Sequence, residues 1–152
     1  MSLNTSAVLD AIVSHAMTLG LFETVNAHEV VSAPGHGLHA EVWAASIGPV
    51  PAASGLHVTS AVVVWNVRIR GSADAQPRDM IDPHMMGAVD VLLSAYSGDF
   101  TLGGLVRNVD LLGQTGVPLS ARAGYLQQDG HVYRVYDVVL PVLINDVWEQ
   151  LP

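Results

Sequence analysis

The chain contains no cysteine, which excludes a disulfide framework and any thiolate metal centre. It also contains no lysine: six arginines stand against fourteen acidic residues, a formal net charge of -8. The arginines (Arg68, Arg70, Arg78, Arg107, Arg122 and Arg134) are scattered, and only Arg68 and Arg70 are close in sequence. Nucleic-acid binders need a concentrated basic footprint that displaces counterions from phosphates. Direct DNA binding by an isolated subunit is therefore not expected. Charged residues of both signs make up only 13%, few for the surface of a freely soluble monomer. Two readings stay open: surface buried against other subunits, or a compact domain rich in Ala and Val. The chain starts with no basic, apolar leader and has no uninterrupted apolar run near the length of a membrane span. Folding in a cytoplasm, with no membrane partner, is the expectation.

What is present is alternation between helical and strand-like periodicity over 152 residues, a length that suits one domain with one core. Asn4 to Gly20 reads as a helix, capped by Asn4, Thr5 or Ser6, with Val8, Ile12 and Leu19 on one face and Gly20 just past its end. Phe22 is expected to fold back as an apolar plug. Strand signals follow at His28 to Ala33 and at Leu38 to Ile47, separated by a turn at Pro34-Gly35-His36-Gly37. Gly48 to Gly55 is a loop. His57 to Arg70 carries the longest period-two alternation, with Ala61, Val63, Trp65, Val67 and Ile69 on one face and Ser60, Asn66, Arg68 and Arg70 on the other. After a polar connector, Ser72 to Asp79, Asp82 reads as a helix N-cap and Pro83 as the first helical residue. Met85, Ala88, Val89, Leu92 and Tyr96 form that helix's apolar stripe, and Gly98-Asp99 ends it. Leu105 to Leu111, Leu119 to Gln127 and His131 to Ile144 read as three more strands, the last two joined through Asp129-Gly130. Pro141 argues that its part of the last strand is an edge or a strand end. The order predicts a single α+β domain, a mainly antiparallel sheet with two helices packed on it.

The residues that carry chemistry in other proteins do not converge here. His28, His36 and His39, with Glu29, form the best metal-ligand set, but the chain has no H-E-x-x-H and no helical i, i+4 histidine pair. Asp74, Asp79 and Asp82 cluster in the connector, where capping and solvation explain them more simply than a carboxylate pair in a pocket. Ser54 and Ser97 lie outside any G-x-S-x-G elbow. The run Phe100-Thr101-Leu102-Gly103-Gly104 lacks the lysine of a phosphate loop. No catalytic residue, cofactor or metal is expected. The suggestive polar pair is Arg68 and Arg70 on one strand face, read either as solvated edge charges or as partners of acids on a neighbouring subunit. Trp43 falls on the more polar face of its strand, and Trp148 is placed to pin the tail to its own domain or to a neighbour. Exposed Trp and Arg anchor interfaces, so these four residues are the candidate contacts.

Several short motifs recur in a recognisable order. They are Ala33-Pro34-Gly35 with Gly37-Leu38 and Trp43; Ser54-Gly55-Leu56; Val67-Arg68-Ile69-Arg70; Met80-Ile81-Asp82-Pro83; Leu102-Gly103-Gly104 with Val109-Asp110-Leu111; and Tyr133-Arg134 before Val147-Trp148. In this order and spacing, over most of residues 1–152, the chain resembles the tail terminator proteins of long-tailed phages or prophages of actinobacteria. The resemblance implies a hexameric ring of identical subunits on the last ring of the tail tube protein. Such a ring stops tube growth, presents its other face to the head–tail connector protein, and meets DNA only as DNA passes through. It implies a virion protein, at the neck of the tail, with no enzymatic activity. The alternatives are another neck or tail-completion protein on the head side, or a small metalloenzyme using His28, His36 and His39.

Overall fold

The alternation read over His57 to Arg70 becomes, in the computed structural model, the fifteen-residue strand Val58–Ser72 on which the sheet is built. The structure describes residues 3–30, 37–73 and 77–151. In chain order the elements are α1 (Thr5–Thr18), β1 (Thr24–Asn26), β2 (His39–Pro49), β3 (Val58–Ser72), α2 (Ile81–Gly98), β4 (Asn108–Val109), β5 (Ser120–Gln128) and β6 (His131–Glu149). Short 3₁₀ turns at Pro51–Ala53 and Arg78–Met80 precede β3 and α2. The sheet runs β1-β2-β3-β6, with β4 and β5 sharing the far side of β6. β1 pairs with β2 in parallel, and every other pair is antiparallel. The expected α+β architecture is present, mostly antiparallel with both helices packed on the sheet.

The core lies between the sheet and the helices. Ala61, Val63, Trp65, Val67 and Ile69 of β3 and Val138, Leu140, Val142 and Ile144 of β6 meet Val8, Ile12 and Ala16 of α1 and Met85, Ala88, Val89, Leu92 and Tyr96 of α2. Each large aliphatic side chain buried there contributes about 1.5–3 kcal/mol. The two helices are tied by the Tyr96 hydroxyl, which donates to the Ile12 carbonyl at 3.0 Å. Phe22 packs against this core partly buried, as expected of a plug. Gly20 has φ +67°, the left-handed conformation that ends a helix without a Cβ penalty.

Several local expectations are corrected. The first short strand is Thr24–Asn26, not His28 to Ala33: His28 to Val30 are not in a strand, and residues 31–33 lie outside those described, as does most of the turn at 34–37. Leu105 to Leu111 shrinks to the two residues of β4, because Leu102, Gly103 and Gly104 all have positive φ and coil the chain into a turn closed by Val106 N–H to Thr101 O at 3.2 Å. Asn4 sits at the cap position of α1 in a left-handed conformation and makes no side-chain cap bond. Asp82 is not a cap either. α2 begins at Ile81, out of the 3₁₀ turn, and the Asp82 carboxylate accepts from Arg134 at 2.9 and 3.3 Å. It still lies in the first turn, where the helix dipole favours negative charge.

Pro141 is buried in the middle of β6, beside β3, rather than at an edge. Its carbonyl accepts from the Asp110 N–H at 2.9 Å, on the side away from β3. In an antiparallel strand a residue's N–H and C=O face the same neighbour. The donor that proline lacks therefore faces the seam between β5, whose pairing ends at Val139, and β4, whose pairing starts at Val142. No ladder bond to β3 is lost.

Candidate functional site

The face of β3 turned away from the helices carries Val62, Val64, Asn66, Arg68 and Arg70, and its basic end is a polar cluster. Arg70 pairs in register with His39 and Val135, and Arg68 with Glu41 and Asp137, so three strands converge there. Arg70 is 1% exposed and Glu41 2%. The Arg70 guanidinium donates to Glu41 Oε1, to Gln128 Oε1 and, at 3.0 Å, to the Val30 carbonyl. Glu41 Oε2 in turn accepts from the Val30 N–H at 2.9 Å. The chain around Val30 is thus pinned across the sheet by an ion pair that burial would make costly without these added bonds.

Arg68 sits at the open rim of the cluster. It donates to Asp137 at 2.7 and 3.5 Å, lies 3.6 Å from Glu29 and 3.8 Å from Glu41, and its guanidinium carbon stands 5.0 Å from the centre of the Trp43 ring. Burial by itself lowers the pKa of this guanidinium, and the bond and charge of Asp137, backed by Glu41 and Glu29, more than offset it, so the net shift is upward.

The four candidate contacts therefore separate. Arg68, Arg70 and Trp43 come together, and the acids that the arginines meet belong to their own subunit. Arg70 has almost no open surface, so its part is to hold the subunit together. Arg68 and Trp43 are half-buried and keep one side open. Trp148 lies far along β6, opposite Thr59 of β3, and is 40% exposed. The tail is held to its own domain by strand pairing, with the indole partly free.

The other groups considered stay dispersed. Among the described residues no three His, Cys, Asp or Glu side chains stand close enough to hold a metal ion. His39 Nδ1 is 2.7 Å from Thr24 Oγ1, His28 is exposed, and His36 lies outside the described residues. Asp79 is exposed in the 3₁₀ turn, Asp82 binds Arg134, and Asp74 is not among the residues described. The Ser54 hydroxyl donates to the Val50 carbonyl at 2.6 Å and accepts from the Ser60 N–H at 3.0 Å.

Two polar residues with structural weight escape sequence reasoning. Ser60, placed by the alternation on the face of Asn66, Arg68 and Arg70, is fully buried at the bulge between Thr59 and Ala61. Its hydroxyl donates to Ala53 O at 2.7 Å and accepts from the Asp146 N–H at 3.1 Å, closing the loop after β2 onto β6. Asp110 is 4% exposed and organises the turn after β4, accepting from the N–H groups of Gly113, Gln114 and Thr115 at 3.0, 2.9 and 2.7 Å and from the Thr115 hydroxyl. Burial pushes its pKa up, but these bonds outweigh it and hold the carboxyl below its ordinary value. The Asp-x-x-Gly spacing of Asp110 and Gly113 (φ +79°) was the available signal.

The sheet has two open ends. β1 pairs with β2 at His39 to Glu41, so residues 42–49 have no strand on that side among the described residues. At the other end β5 pairs with β6 alone among the described residues. No helix among the described residues is long and apolar enough to cross a membrane. Compared with models of known protein families and with curated protein sequences, the chain matches none.

Proposed function

We propose that the protein is a tail terminator of a long-tailed bacteriophage, a structural subunit whose copies join into a ring, hexameric as the resemblance implies, on the last ring of tail tube protein. Its mechanism is capping. One face of the ring matches the tube and the other does not, so polymerisation ends and the second face is left for the head–tail connector. DNA meets the ring only in passing through it. The protein is assembled in the host cytoplasm and resides in the virion at the neck.

The observation that carries this reading is the pair of open sheet ends. An unpaired strand edge templates pairing with another chain, and natural monomers blunt such edges with lysine, proline or covering loops. β5 runs nine residues, Ser120–Gln128, with no proline and a single charge, the exposed Arg122. Two different edges on one subunit support head-to-tail contacts, the kind that close into rings. The low charge content and the half-exposed Val62, Val64 and Val139 on the face away from the helices point the same way.

Tail length by electron microscopy, after disrupting this gene in its parent phage, tests the reading. Overlong tails detached from heads are expected. Tails of normal length without heads would instead favour a joining protein on the head side. Intact virions would end the structural reading altogether.

A further inference from the structure

Among the described residues the three most exposed large apolar side chains are Leu56, Leu112 and Leu151, at 87%, 86% and 83%. They fall in two patches. Leu112 belongs to a hollow of about 500 Å³ between the end of α2 and the turn after β4, which Phe100, Arg107 and Leu111 also line. The Asp110 carboxylate in its wall is taken up by its own turn, through the N–H groups of Gly113, Gln114 and Thr115. Arg107 is exposed and donates to Asn145 Oδ1 at 3.2 Å. No carboxylate among the described residues lies within ion-pair distance of it. The hollow is thus largely apolar, with one unpaired cation.

The last rung of the sheet carries the complement. Glu149 of β6 pairs with Val58 of β3, and just beyond it the Gln150 N–H donates to the His57 carbonyl at 2.6 Å. Leu56 and Leu151 come next on the two chains, both bare to solvent, with the exposed Glu149 close by. No arginine or histidine among the described residues lies within ion-pair distance of Glu149. This corner is thus apolar, with one unpaired anion. Apolar patches rimmed by polar groups mark contact surfaces.

We infer that the Leu56–Leu151 corner of one copy seats in the Leu112 hollow of the next, with Glu149 against Arg107. The inference rests on the ring reading above and names one contact of that ring. A second copy is the occupant because this chain carries both halves, apolar surface for apolar surface and an anion for the cation. Hollow against hollow would set Arg107 on Arg107, and corner against corner would set Glu149 on Glu149. The contact is therefore head-to-tail, the kind that closes into rings.

Sedimentation velocity on the full chain, with Leu56→Asp and Leu112→Asp beside the wild type, tests it. Both altered positions are exposed, and thermal melts establish that the variants fold. The wild type is expected to self-associate, and each variant alone at least about tenfold more weakly. An equimolar mixture of the two variants is expected to form a dimer and nothing larger, since each keeps the surface that the other has lost. Variants that assemble as the wild type does, or a mixture that stays monomeric, would overturn the inference and leave the ring reading standing. A wild type that is monomeric at every concentration would also overturn it, with the ring reading then decided by tail length. Glu149→Arg is expected to weaken assembly and the added Arg107→Glu to restore it; without restoration the two side chains do not meet and the inference is wrong.

Discussion

At the scale of single residues, the sharpest contrast between sequence and structure is Arg70. The alternation places it correctly on the face away from the helices, and solvent exposure is the natural reading of a charge there. Its burial comes from Val30 and Gln128, which lie 40 and 58 residues away and leave no trace in local periodicity. Removing one partner of a buried ion pair costs about 3–5 kcal/mol, whereas replacing both with apolar groups of similar volume is often near neutral. Arg70→Met is therefore expected to lower the urea midpoint strongly, and the added change Glu41→Leu to recover most of the loss. Asp110 gives a prediction in pH. Its folded pKa lies below the ordinary carboxylate value of about 3.9. Its stabilisation is thus complete above that value and fades as pH falls through the lowered folded one. Asp110→Asn is expected to cost about 1–2 kcal/mol at neutral pH, and the gap from wild type to close in strong acid. Equal gaps at both pH values would contradict this account.

At the scale of elements, long periodic segments were legible and short ones were not. β3, β5, β6 and both helices announce themselves by spacing. β1 and β4 have three and two residues, too few for a period to show. The hairpin between β5 and β6 was legible from two residues alone. Asp129 and Gly130 have φ +51° and +77°, and Gln128 pairs with His131 across them, as a two-residue turn with both central φ positive requires. A side chain in the left-handed region costs about 1–2 kcal/mol, so Gly130→Ala is expected to lower the melting temperature with no change of fold by circular dichroism. Pro141 misled for an instructive reason. Proline is excluded from a central strand only where its missing donor faces a partner strand, and here it faces the seam between two.

At the scale of the whole molecule, the fold class followed from the order of elements, but the strand order did not. β6 lies between β3 and β5, and nothing local in its sequence says so. The candidate contacts divide on the same ground. Changing Arg68 and Arg70 together to Glu puts two acids beside Glu41 and Asp137 and is expected to abolish folding, so it reports on the subunit rather than on an interface. Trp148→Ser is the cleaner probe: the unfolding free energy is expected to stay within about 1 kcal/mol of wild type, with binding to tail tube protein reduced in a pull-down. The position of β6 also bears on how the chain reaches this state. The central strand is the last in chain order, and its partner β3 must wait through some sixty to ninety residues of synthesis for it. Pairings so distant in sequence form slowly, in milliseconds to seconds. During that delay β3 offers an apolar flank to any neighbour in the cell, so the timing of translation, as much as the final contacts, decides how much of the chain escapes clumping.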